Sequence, residues 1–188
     1  DPKNLAALLG LAALAERRDD PQGLEQWLNR AQDANPSSTQ PGILLARYNI
    51  GRGEHIKALT IASDLAARFP QDAEVLEMLG RAQTLSGEEA SAIRSFEQVA
   101  EQRPDDPQVY YLLGGAQWQH EDHGAAARSF LRAIELKPDY IQARVALDAW
   151  AAIYACRSQA EFAVTAELSV KFLKPLPSGR QILVRARV

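Results

Sequence analysis

Apolar and small positions along this chain recur with a single period. Leucine stands at Leu11, Leu45, Leu79, Leu113 and Leu147, and proline at Pro2, Pro36, Pro70, Pro104 and Pro138, with 34 residues in every interval of both series. Small residues follow four of the leucines, at Ala12, Ala46, Gly80 and Gly114, where two helices can approach closely. Ala58, Ala92 and Ala126 recur in the second half of the units, and Phe96 and Phe130 follow the last two by four residues. That i, i+4 spacing sets each pair on one helical face. Each unit therefore predicts two helices joined by a turn. Asp72 and either Asp105 or Asp106 are suited to accept from the free N–H groups that open a helix, and Pro41 and Pro107 suit a first helical turn. Gly51-Arg52-Gly53-Glu54 and Ser86-Gly87-Glu88 supply glycine where a helix ends in left-handed backbone. A lone helical pair leaves an apolar face bare, so neighbouring units must stack. The expected core is Leu11, Leu45, Leu79, Leu113, Phe96 and Phe130.

The fourth unit reads Tyr110-x2-Leu113-Gly114, Ala126-x3-Phe130, Pro138, and the third reads Leu76-x2-Leu79-Gly80, Ala92-x3-Phe96, Pro104. In this the chain resembles the tetratricopeptide repeat (TPR) family, whose unit is W-x2-L-G-x2-Y, A-x3-F, P. The first two units keep the period with altered residues. Gly42 holds the large aromatic position, Ala62 replaces the phenylalanine, and Leu24 and Leu28 replace alanine and phenylalanine in unit one. The resemblance implies an all-α, right-handed superhelical solenoid of four helix-turn-helix repeats over residues 1–138, with a capping helix over 139–159. It also implies a scaffold that binds a protein or peptide in a concave groove lined by the first helix of each unit. The boundary sequences ARFPQD and ELKPDY are similar to those of bacterial exopolysaccharide-export and PEP-CTERM-associated scaffolds, which points to a bacterial periplasm or cytoplasm.

On that reading the partner-binding residues are Arg47, Arg81, Gln108, Tyr111, Trp118 and Gln119. Arg47 and Arg81 share one repeat position and should project from adjacent units roughly 10 Å apart, a basic ladder for acidic groups. Their plainer role is pairing with neighbouring Glu or Asp. Tyr111 and Trp118 offer aromatic anchors, or else pack on the next helix. The carboxylate clamp known in part of the family is not carried over, because Ala13, Arg47, Arg81 and Gly115 stand where it needs asparagine.

Catalytic chemistry is sparse. His120 and His123 lie three apart around Glu121 and Asp122, at a turn where solvated polar residues belong, with neither a cysteine nor a third histidine near them. The sequence has no phosphate loop, no G-x-S-x-G and no H-E-x-x-H. It implies no metal and no cofactor.

After Ala163 the period falls to two. Val164, Ala166, Leu168, Val170 and Phe172 alternate with polar residues, Lys174 to Arg180 is turn-rich, and Ile182, Val184, Ala186 and Val188 alternate again. A short β-hairpin tail over 160–188 is expected, either disordered or joined to its copy in a homodimer. Residues 145–188 resemble part of a hot-dog-fold thioesterase, with Asp148 in Leu147-Asp148-Ala149-Trp150 at the place of the acidic catalytic residue. The alternative function this implies is acyl-CoA thioesterase activity, here only as a fragment, because the His-Gly-Gly element and the earlier strands are absent.

Composition narrows the field further. The chain has 188 residues, is 46% hydrophobic and 24% charged, and has a net charge of −3, a globular balance without a basic field for nucleic acid. Residues 160–188 carry +3, leaving −6 on the first 159. No apolar run is long enough to span a membrane. Cys156 is the single cysteine, which excludes an intrachain disulfide. The opening Asp1-Pro2, without a methionine or signal peptide, reads as the start of a fragment or a processed piece.

Overall fold

Proline fixes where the second helix of each pair stops. A residue ahead of proline is pushed out of helical backbone, and Asn35, Phe69, Arg103 and Lys137 all leave the helix just before Pro36, Pro70, Pro104 and Pro138. The computed structural model describes residues 3–157. Among them it shows nine helices and no strand: α1 (Leu5–Arg17), α2 (Pro21–Ala34), α3 (Gln40–Gly51), α4 (His55–Arg68), α5 (Ala73–Leu85), α6 (Glu89–Gln102), α7 (Pro107–Gln119), α8 (His123–Leu136) and α9 (Ile141–Arg157). The described helices fall into two compact units, one with α1 to α6 and one with α7 to α9.

The turn inside each pair is built the same way four times. The N–H of Asp20, Glu54, Glu88 and Asp122 donates five residues back, to the carbonyls of Ala15, Asn49, Gln83 and Gln117, at 2.9–3.0 Å. The residue before each of these is left-handed: Gly53 and Gly87 as expected, but also Asp19 (φ 53°) and Glu121 (φ 63°). These are Schellman-type closures, in which glycine fits the left-handed residue without strain. Asp72 caps α5 through the N–H groups of Glu74 and Val75, and Asp106 rather than Asp105 caps α7 through that of Gln108.

The recurring small residues sit in the core because a ring or branched chain needs the space. A Cβ on Gly80 would stand 2.7 Å from the ring of Phe96, and one on Gly114 2.6 Å from that of Phe130. Phe96, Phe130, Ala92 and Ala126 are all buried. In repeat two the volumes are exchanged. Ala46 and Ala62 are both fully buried, and Gly42 instead makes room for Leu65, 2.7 Å from where its Cβ would lie. The irregular residues of that unit are thus a different solution to the same packing problem.

The expected core needs correction at its first member. Leu113 is buried, Leu45 and Leu79 are half-buried, but Leu11 is exposed. Leu45 packs against the cluster of Ala12, Ala15, Leu24 and Leu28, residues of the preceding pair, whereas no described helix precedes α1 to cover Leu11. Leu8, Ala12 and Ala15 bury α1 in its place. The tail expectations, a hairpin over 160–188 and a homodimer through it, lie outside the described residues.

Candidate interaction face

The sequence-selected arginines meet different fates. Arg47 on α3 is exposed and has no carboxylate partner among the described residues. Arg81 on α5 is half-buried and spent on its own helix. Its Nε and Nη2 donate to Glu77 Oε1 at 3.1 and 2.9 Å, while Arg103 Nη1 reaches Glu77 Oε2 at 3.3 Å. The ladder is therefore unequal, with Arg47 the free guanidinium and Arg81 one arm of a pair of arginines around one carboxylate.

In the second unit the first helix, α7, carries the other four candidates. Gln108 and Gln119 are exposed. Tyr111 and Trp118 are half-buried and pack on the cluster of Ala126, Phe130, Ala133 and Leu147. The Tyr111 ring lies 6.0 Å from that of Phe130 and edge-on to Tyr140 at 5.5 Å, and Trp118 lies 4.7 Å from His123. Both aromatics thus serve the fold with one side and keep the other in solvent.

His123 opens α8 with its ring against Trp118, and His120 is exposed. Among the described residues no group of three His, Cys, Asp or Glu gathers as a metal would need, and no helix is long and apolar enough to cross a membrane. Asp148 stands exposed on α9. Partial desolvation raises its carboxyl pKa above the ordinary value, and Arg144 draws it back. Residues 145–157 continue α9, and the strands on which the thioesterase resemblance depends lie outside the described residues.

A buried polar pair escaped the sequence reading. Ser95 Oγ donates to Gln83 Oε1 at 2.8 Å, and Ser129 Oγ to Gln117 Oε1 at 2.7 Å, linking first and second helix in repeats three and four. Both pairs keep the 34-residue spacing. That recurrence of polar residues was the available signal.

The helical pairs, their common turn and the glycine-phenylalanine contact define the tetratricopeptide repeat fold, an architecture typical of protein-protein interaction scaffolds. Residues 86–141 match the tetratricopeptide repeat family. Among solved structures, MamA (residues 41 to the end) from Desulfovibrio magneticus RS-1 is similar, with a TM-score of 0.71 and 18% identity over 80% of this chain and 85% of that one. YrrB, described as a TPR protein with an unusual peptide-binding site, has a TM-score of 0.65 and 19% identity over 78% of this chain and 75% of that one. A tetratricopeptide repeat protein from Parabacteroides merdae ATCC 43184 gives 0.66 and 17%, over 80% and 61%. No curated protein matches the sequence significantly. At such identities the likeness is one of fold. Neither exopolysaccharide export nor a hot-dog domain figures in it.

Proposed function

We propose that this chain is an interaction scaffold that binds a protein or peptide partner on the faces of its first helices, with Arg47 as the anchor for an acidic group. The observation that carries the reading is the contrast at one repeat position. Arg81 shares the Glu77 carboxylate with Arg103, while Arg47 is exposed and unpaired among the described residues. An unpaired guanidinium retains its full set of donors for a carboxylate. In the second unit, Gln108, Tyr111, Trp118 and Gln119 present amides and aromatic edges on α7, and aromatic side chains are among those that interfaces favour. The peptide-binding character of YrrB is consistent with this use of the fold.

The test uses a fluorescein-labelled glutamate-rich octapeptide and the full chain. Arg47→Ala should weaken binding several-fold at about 0.01 M salt and have little effect near 1 M, where exposed charges are screened. Arg81→Ala should act less, and the melting temperature of Arg47→Ala should stay put. Undiminished binding by Arg47→Ala at low salt would refute the anchor.

A further inference from the structure

A second groove lies on the other side of α3 from Arg47. Leu45 and Asn49 each stand two residues from Arg47, about 200° around the helix, and they floor a channel between α2 and α4. The channel consists of two adjoining hollows, of about 160 and 290 Å³, which share Asn29, Leu45 and Ile61. Its cause is a local departure from the repeat. Where repeats three and four have the buried Gln83–Ser95 and Gln117–Ser129 hydrogen bonds, repeat two has Asn49 and Ile61. Asn49 turns its Nδ2 back to the Leu45 carbonyl at 2.8 Å, and Ile61 has no hydroxyl to offer. The interhelical bond is missing, and the larger hollow is lined by both residues.

The walls of this channel match one kind of occupant. Asn29 and Gln32 bring carboxamides, which can both donate to and accept from a peptide main chain. Gln32 Nε2 is used on the Ser38 carbonyl at 3.3 Å and its Oε1 is buried, so the exposed Asn29 is the carboxamide on offer to an occupant. Of the basic side chains along the channel, Lys57 is paired with Glu54 at 3.0 Å, and Arg68 donates to the neutral Pro36 carbonyl at 2.7 Å and keeps its charge at one end. The acidic ones, Glu25 and Asp64, have no ion-pair partner among the described residues. From Lys57 to Arg68 the channel follows α4 for about 16 Å, room for about five residues of extended chain.

We propose that this channel binds an extended segment of a partner protein in which aliphatic and basic residues alternate. Its aliphatic side chains cover Leu45 and Ile61, its main chain meets the exposed Asn29 carboxamide, and its Lys or Arg groups meet Glu25 and Asp64.

The probe is a fluorescein-labelled octapeptide of alternating valine and lysine, titrated into the full chain. Binding is expected, and the valine-glutamate counterpart should not bind. Glu25→Gln with Asp64→Asn should weaken it about tenfold at low salt, the order expected for losing charge-assisted contacts. Asn49→Gln with Ile61→Ser installs the repeat-three pair and should abolish binding while the melting temperature is kept. Arg47→Ala should leave this binding intact, which separates its failure from that of the opposite face. No binding, or equal binding by both double variants, overturns the proposal. So does a dimer, seen by light scattering, that Asn49→Gln with Ile61→Ser dissociates, because the occupant is then a second copy.

Discussion

Gly114 and Gly115 are neighbours in α7 with opposite surroundings, and alanine should stabilise the chain at Gly115 but not at Gly114. Glycine inside a helix costs about 1 kcal/mol relative to alanine, so both substitutions gain that amount. At Gly115 nothing lies within 4 Å of the new Cβ, and the gain should appear whole. At Gly114 the Cβ would meet Phe130 Cε1 at 2.6 Å, Cδ1 at 2.7 Å and Cζ at 3.1 Å. These are rigid ring atoms of a side chain that is only 3% exposed, so the ring must retreat into packed surroundings. Overpacking of this kind costs about 1–3 kcal/mol, which cancels or outweighs the propensity gain. The propensity term is common to both variants, so their difference in unfolding free energy isolates the steric term. Urea unfolding with equal m-values measures it. A double variant closes the argument: Gly114→Ala with Phe130→Ala recreates the Ala46 and Ala62 pair of repeat two, and there the Gly114→Ala step should turn stabilising. If Gly114→Ala stabilises as much as Gly115→Ala, or if its effect is unchanged without the ring, Phe130 does not set the glycine requirement.

Phe130→Ala alone should cost about 3–5 kcal/mol, whereas Ile56→Ala, at a site 69% exposed, should stay within about 0.5 kcal/mol. A surface-like cost at Phe130 in urea titration would invalidate the assigned register. Glu121→Gly removes a side chain from left-handed backbone at φ 63° and should stabilise by about 1 kcal/mol, while Gly53→Ala, at φ 76°, should lose a similar amount. Thermal melts of the two variants shifting in the same direction would contradict the shared turn geometry.

The 34-residue spacing of Leu and Pro already determines that the chain folds as helical pairs, because proline ends a helix through its own ring, whatever packs around it. Gly53, Gly87 and the caps Asp72 and Asp106 were legible for the same reason: each acts on backbone within a few residues of itself. Glu121 was not, because its side chain disfavours the left-handed conformation that the closing hydrogen bonds of the turn impose, and Asp19, though of a type that tolerates it, is equally at home in a helix cap. Whether a periodic leucine is buried depended on its neighbours, which is why Leu113 is covered and Leu11 is not. Of the interaction face, the sequence supplied the repeat position of Arg47 and Arg81 but not their difference. That difference rests on Glu77, one turn before Arg81 and also bonded to Arg103, 26 residues away from it along the chain. The channel beside Asn49 and Ile61 lay further still from sequence reasoning. It is a hydrogen bond that repeats three and four make and repeat two lacks, and only the packing of α2, α3 and α4 around that gap turns it into a surface feature.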